Sequence, residues 1–477
     1  MSRPAFPDFD FSSIPDKNAH DFSVSVGGIS VAETVGERDS QQDTIFVAKV
    51  KNEGARLNPK AFYEREVAAT VDRHRACTSG TTLCSAIVTP PSEEDVKAGR
   101  TFPKITVANL GDSRAAIVVK MKDGRYLSII LTEDHDLNVP RIRDHVERSG
   151  GSVAPIPEDP TKTPRVVYHS PSGAYPTLNM GAAIGDCDAL GADGRHVLMT
   201  APDILEYDLN AFPFVTVDPD GNRVEVLPKD KIQELDLIIS CDGLYDVEGS
   251  RKLAADFKAI KMDRGIAFCQ DKVEGAEGLS EIKKGFDEES TGEFSFAAAL
   301  QDFALSEGSR DNISIACVNL VSAGENRITE ALMMTVCDGH GRTEFKKTAG
   351  NIAPNFTGEE VSASVASMMY LAAEAEHIPG LEMPQGHFHD FLATALSTEI
   401  GVGGGGGGGG EGADSPPVIR AGGGGRRERF KGFWYGAGKE SEEGLLELLD
   451  ATKKAPAQSP SDAVAEALAA AEKSPSV

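Results

Sequence analysis

Two stretches of the chain end alike. Leu237-Ile238-Ile239-Ser240-Cys241-Asp242-Gly243 and Met333-Met334-Thr335-Val336-Cys337-Asp338-Gly339 each run apolar residues into an aspartate followed at once by glycine. A carboxylate at the end of a rigid, buried strand is well placed to hold a cation. The glycine lets the backbone turn tightly, so that a carbonyl or a ligand can come close. Asp311 stands just before the apolar run Ile313–Leu320, and Asp43 just before Ile45–Val50. Any one Asp-Gly pair is an ordinary strand-terminating turn. Four aspartates at strand ends are the donor set that a binuclear, oxygen-ligated site of hard divalent cations needs.

The elements that must position them read mostly as short β runs from Asp21 to about Leu320. Residues 104–121 predict two strands around a turn at Gly111-Asp112-Ser113, and Asp123-Gly124 a hairpin into Tyr126–Leu131. Residues 235–241, 313–320 and 331–337 predict core strands. Helices are expected over 58–74, 138–149, 359–376 and 388–399, with a weaker signal in 292–306. The fold class this predicts is α+β, an antiparallel β-sandwich of two sheets flanked by helices. Composition changes at Gly401. Runs of eight and four glycines over 401–425 predict a flexible linker. After it come a basic-aromatic patch (Arg426, Arg427, Arg429, Phe430, Lys431, Phe433, Trp434, Tyr435) and amphipathic stretches at 441–450 and 461–473. The expected organisation is a main body over 1–400, the linker, and a tail over 426–477.

Charge narrows the function classes. Of 477 residues, 48 are Lys or Arg and 74 Asp or Glu, a net charge of 48 − 74 = −26. A chain this acidic is repelled by a phosphate backbone or an anionic membrane, so neither nucleic acid nor membrane is an expected partner. No run of about 18 apolar residues predicts a transmembrane helix, and Met1–Phe11 lacks the basic start and apolar stretch of a secretory signal. Cys77, Cys84, Cys187, Cys241, Cys269, Cys317 and Cys337 are odd in number and scattered. They predict reduced core thiols and a cytoplasmic location, with the nucleus left open. Neither Cys241 nor Cys337 is followed by a phosphate-cradling loop, which argues against a cysteine nucleophile.

Several segments read together carry more than any one of them. Arg38-Asp39-Ser40-Gln41-Gln42-Asp43, Thr78-Ser79-Gly80-Thr81-Thr82, Ala108–Arg114 (ANLGDSR), Leu131–His135 (LTEDH), Ala183–Asp186 (AIGD), Cys241–Val247 (CDGLYDV), Asp311–Ser314 (DNIS) and Asp338–Gly341 (DGHG) resemble the metal-dependent serine/threonine protein phosphatases of type 2C, the PPM family. The resemblance covers about residues 22–375. One feature departs from the family's order. There, DGHG follows the first acidic motif and precedes the SGTT-like motif. Here only 34 residues separate Asp43 from Thr78, and DGHG stands at 338–341, after the motif that should be last. The chain therefore reads as a circularly permuted phosphatase in which one strand and its helix have moved to the C-terminal side. Gln42 stands where many members carry glutamate, and Ala182 where an arginine usually precedes AIGD.

The resemblance implies hydrolysis of phosphoserine and phosphothreonine at two Mg²⁺ or Mn²⁺ ions, with phosphorylated proteins as substrates. Carried over by motif, Asp338 bridges both ions, the Gly339 carbonyl ligates one, and Asp242 and Asp311 hold the other. Asp43 binds directly or through water. Asp112 matches an aspartate linked with a third, weaker ion in some members, and a turn-capping role for it stays equally open. Arg38 grips the substrate phosphate. His340 is the general acid for the leaving oxygen. The alternative is a catalytically impaired relative that binds phosphoproteins or acts as a regulatory module, for which Gln42, Ala182 and the permutation leave room.

Overall fold

The structure is a computed structural model. It describes residues 22–38, 40–154, 164–168, 177–212, 214–217, 224–245, 257–262, 265–270, 278–289, 295–341 and 356–381. The expected helix at 388–399, the linker and the tail lie outside the described residues.

The strands that matter to the site are, in chain order, β1 (Phe22–Val26), β2 (Ile29–Thr34), β3 (Thr44–Lys49), β4 (Leu83–Thr89), β5 (Lys104–Leu110), β6 (Arg114–Met121), β7 (Tyr126–Ile130), β8 (Asp203–Asp208), β9 (Ile232–Ser240), β10 (Ile313–Ser322) and β11 (Leu332–Cys337). The helices are α1 (Pro59–His74), α2 (Pro140–Arg148), α3 (Gly278–Glu289), α4 (Phe296–Ser306) and α5 (Gly358–Ala372). One sheet runs β1-β2-β10-β9-β6-β7, with Glu325–Asn326 added beside β10, and the other runs β8-β5-β4-β11-β3. Every pairing in both is antiparallel.

Both faces of each central strand are buried, and period-two alternation decides which layer a side chain enters. In β9, Leu235, Leu237 and Ile239 enter the core between the sheets, and Ile238 packs outward with Leu300 and Ala304 of α4. In β11, Met334 and Val336 enter the same inter-sheet core. Met333 and Cys337 face outward against Phe62 and Val67 of α1 and Val361 and Val365 of α5. The layers are thus helices, sheet, sheet, helices. That is the α+β sandwich expected.

β11 fills the slot between β3 and β4, pairing Cys337 with Thr44 and Val336 with Cys84. Buried hydroxyls reinforce that register, since Thr335 meets Ser85 at 2.8 Å and Ser85 meets the Tyr63 hydroxyl at 2.9 Å. Helix starts follow capping chemistry. Asn58 accepts from Ala61 N–H ahead of Pro59 in α1, and Thr357 with Glu360 forms a capping box for α5. The expected 359–376 helix ends sooner, at Ala372, because Glu376 leaves it to exchange two backbone hydrogen bonds with Lys49 of β3. The expected 292–306 helix begins at Phe296, capped by Ser295. Among the described residues no helix is long and apolar enough to cross a membrane.

Candidate metal centre

Three loops converge at one end of the sandwich. Asp338 leaves β11, Asp242 opens a 3-10 turn after β9, and Asp112 sits in the turn between β5 and β6. Each offers a carboxylate oxygen, and the three oxygens lie within 4.8 Å of one another. The main chain of Asp338 is gripped by the SGTT segment. Thr82 N–H and Thr81 Oγ1 both donate to its carbonyl at 2.9 Å, and its own N–H donates to Thr82 Oγ1 at 3.2 Å. Thr82 Oγ1 also meets Ser113 Oγ at 2.7 Å, which couples the Asp338 and Asp112 loops.

Two further aspartates flank the trio. Asp43 is buried at 5% exposure, and neither of its oxygens accepts a well-aligned hydrogen bond. Burial pushes its carboxyl up to about 8; the Asp311 and Glu33 charges push the same way, and the Cys241 thiol and Ser314 hydroxyl oppose them. Burial likewise drives Asp338 well above the usual carboxylate range, with Asp43, Asp112 and Asp311 adding repulsion. Asp311 receives the Arg38 guanidinium in an ion pair at the mouth of the site. Burial works against the Arg38 charge, but Asp311, with Asp242 and Asp338 behind it, raises its pKa overall. Asn312 staples the Arg38–Asp43 loop in place. Its Nδ2 donates to Val35 O at 2.9 Å and Ser40 O at 3.0 Å, and its Oδ1 accepts from Gln42 N–H at 2.9 Å.

Gly339 lies where a Cβ would stand 2.2 Å from Gln42 O and 2.5 Å from Gly358 O, so only glycine lets the Asp338 turn close. His340 follows. Its Nε2 meets Asp186 Oδ2 at 2.7 Å, while Nδ1 is buried without a full hydrogen bond. Burial disfavours the imidazolium, yet the Asp186 charge and hydrogen bond outweigh it and raise the His340 pKa. Gly80 permits that approach: a Cβ there would stand 2.0 Å from Asp186 Oδ2 and 2.5 Å from His340 Nε2. Burial pushes the Cys241 and Cys337 thiols well above their ordinary value, so neither supplies a thiolate nucleophile. Ala182 is fully buried in the core beside Ile184.

All eight residues singled out in the sequence therefore fall in one region, Arg38, Asp43, Asp112, Asp242, Asp311, Asp338, Gly339 and His340. The tight trio includes Asp112, which sequence reasoning left divided between metal and turn. Three partners carried no assigned role there: Asp186, Thr82 and Asn312. All three stand in the quoted motifs, which is the signal that could have found them. Clustered carboxylates whose burial disfavours their own charge fit a hard cation, and an all-oxygen donor set fits Mg²⁺ or Mn²⁺ better than zinc.

A family model described as Protein phosphatase 2C matches residues 16–258. A rice protein named "Probable protein phosphatase 2C 12" is 33% identical over 126 residues, covering 26% of this chain and 28% of the relative. An Arabidopsis thaliana "Protein phosphatase 2C 7" is 29% identical over 216 residues, covering 45% of this chain and 32% of the relative. The matches thus span about a third of the length of these curated relatives. A crystal structure of a Toxoplasma gondii phosphatase aligns with TM-score 0.36 at 17% identity, covering 66% of this chain and 98% of the other.

Proposed function

The chain belongs to the protein phosphatase 2C family, and we propose that it hydrolyses phosphoserine and phosphothreonine in proteins at a binuclear Mg²⁺ or Mn²⁺ site. The observation that carries this reading is the convergence of Asp112, Asp242 and Asp338 from three distant parts of the chain. Asp338, Asp242 and Asp112 would hold the cations, with Asp43 and Asp311 beside them and the Gly339 carbonyl available as a neutral donor. When bound, the cations would supply charge neutralisation and a more acidic water.

The remaining roles fall to the chain itself. Arg38 meets the phosphoryl oxygens as a planar donor, held at the mouth by Asp311. His340 protonates the leaving serine or threonine oxygen. Asp186 occupies Nε2 and so leaves Nδ1–H for that transfer. The core thiols take no part. The body that does this is residues 1–400, with 401–425 and 426–477 as linker and tail. We also read the body as circularly permuted; what supports this is that β11, late in the chain, lies between β3 and β4.

The second reading, a silent member that binds phosphoproteins, draws on Gln42, whose buried Nε2 finds no hydrogen-bond partner. Hydrolysis of 4-nitrophenyl phosphate and of a phosphoserine peptide, each with and without Mn²⁺, separates the two. Metal-dependent turnover of both, lost in Asp242→Ala, supports the phosphatase. Phosphopeptide binding with no turnover under any metal supports the second reading.

A further inference from the structure

Asp112 hangs in the turn between β5 and β6, one residue after Gly111. Gly111 sits at φ +118°, and a Cβ there would stand 2.5 Å from Thr82 Cγ2. A glycine in this region has no conformational preference strong enough to hold a ligand still. The turn must therefore be held by its bonds, and on its N-terminal side His135 supplies two, beside a longer one from Asn109 Nδ2 to the Gly111 carbonyl at 3.4 Å. Gly111 N–H donates to His135 Nδ1 at 3.1 Å, and His135 N–H donates to the Gly111 carbonyl at 2.9 Å.

A backbone N–H can only donate, so His135 Nδ1 must be bare and the ring proton must sit on Nε2. That nitrogen faces Asp203 Oδ2 at 3.1 Å. Asp203 is itself clamped by Arg141, which reaches Asp203 Oδ1 at 3.3 Å and Glu133 Oε2 at 2.9 Å. Burial works against the Asp203 charge, but His135 and Arg141 outweigh it and hold the carboxyl below its ordinary value. His135 is fully buried, whereas the Asp203 and Arg141 side chains that orient it reach the surface. On the other side of Asp112 stands the Ser113–Thr82 hydroxyl contact, and Asn179 Nδ2 donates to Asp112 Oδ2 itself at 3.3 Å. Thr82 also carries Asp338, whereas His135 bonds the Asp112 turn, Asp203 and, through its carbonyl, the Gly181 N–H.

We propose that His135, oriented by Asp203 and Arg141, is a positioning residue for Asp112 and sets how tightly the cation on the Asp112 side of the trio is held. The proposal rests on the phosphatase reading above. It sets Asp112, whose turn the relay holds, apart from Asp242 and Asp338, which follow β9 and β11.

The test is a Mn²⁺ titration of the full chain, without substrate, followed by electron paramagnetic resonance. His135→Gln places its amide near the old Nε2 position, keeps a donor toward Asp203 and leaves Gly111 N–H without its acceptor. His135→Asn places an amide oxygen near the old Nδ1 position and restores that acceptor. In His135→Gln the weakest Mn²⁺ site should lose about tenfold or more in affinity, as outer partners of metal ligands generally do, with the tighter binding unchanged. In His135→Asn most of the loss should be recovered. A His135→Gln titration indistinguishable from wild type would overturn the proposal. So would equal loss at every site in both variants, which marks a general role in folding. If His135→Gln does not fold, Asp203→Asn decides: selective weakening of the same site supports the relay, and an unchanged titration overturns it. Wild type that binds no Mn²⁺ and hydrolyses nothing would sink the phosphatase reading itself. Wild type that binds and hydrolyses, beside a His135→Gln that titrates identically, sinks only the relay.

Discussion

Gly80→Ala is the sharpest test of the His340–Asp186 pair. Gly80 lies in the short strand that pairs with Gly185 on one side and His340 on the other. The added methyl would fall 2.0 Å from Asp186 Oδ2 and 2.5 Å from His340 Nε2, well inside contact distance for both. Asp186 has little room to retreat. It is buried at 3% exposure, and its backbone is already left-handed at φ +49°. The imidazole must therefore be displaced by on the order of 1 Å. A shift of that size costs roughly 100-fold in rate when it misplaces a reacting group, and full loss of a general acid costs about 10²–10⁴-fold. At about 1.4 kcal/mol per factor of ten, the barrier rises by about 3 kcal/mol or more. The loss should depend on the leaving group. A serine alkoxide needs a proton as it departs, whereas 4-nitrophenolate departs without one. The assay is kcat/KM of Gly80→Ala on a phosphoserine peptide and on 4-nitrophenyl phosphate at saturating Mn²⁺, with a thermal melt to show that the variant is folded. The peptide should lose about 100-fold or more and the aryl ester far less. Equal losses on the two esters, or no loss on the peptide, would refute the assignment of His340 as the acid positioned by Asp186.

Three other outcomes are expected. Asp242→Ala should abolish metal-dependent hydrolysis while the metal-free protein keeps its melting temperature or gains, because a like charge has been removed from the cluster; wild-type turnover in this variant would remove Asp242 from the site. His74 is buried between α1 and α5, with Nδ1 on Thr70 O at 2.8 Å and Nε2 on Ser364 Oγ at 3.0 Å, and burial lowers its pKa from 6.5 to about 4. The unfolded chain then binds the extra proton, so stability is complete above about pH 6.5 and falls as pH drops toward 4, by up to about 3 kcal/mol; urea unfolding at pH 7 and pH 5 should show the decline, and His74→Leu should flatten it. A chain ending at Ile400 should keep Mn²⁺-dependent hydrolysis of 4-nitrophenyl phosphate, and loss of turnover on removing 401–477 would place part of the site in the tail.

The strands that carry aspartates were readable because each is an apolar run with a turn signal at its end, as at Ser240–Gly243 and Val336–Gly339. α3 was not readable. Its apolar stripe, Leu279, Ile282 and Phe286, is only three residues long in GLSEIKKGFDEE and is interrupted by Gly285, and the helix is held partly by charge. Lys283, at 6% side-chain exposure, lies 3.2 Å from Glu234 and 3.7 Å from Asp236, on the outward face of β9. Local periodicity cannot foresee a buried lysine answered by carboxylates on another element. The same reason hid the partner of His340. Asp186 stood in plain view in AIGD, but its contact joins residues 154 positions apart, and only the fold states which histidine it serves. Asp112 was ambiguous in the sequence because Gly-Asp-Ser is good turn chemistry whether or not a ligand is present.

The position of β11 ties folding to function. Its neighbours β3 and β4 lie early in the chain, and contacts such as Ser85–Thr335 span 250 residues. Until β11 inserts, β3 and β4 each present an unpaired edge, and closing so long a loop costs entropy before any pairing rewards it. The reward comes from one strand that serves both layers, with Met334 and Val336 filling the inter-sheet core and Met333 and Cys337 receiving α1 and α5. Asp338 follows that strand at once, and Thr81 and Thr82 grip its main chain. A chain that has not completed its second sheet therefore lacks the central carboxylate of the trio. The carboxylate cluster, with its mutual repulsion, thus depends on the packing of the strand that completes the second sheet.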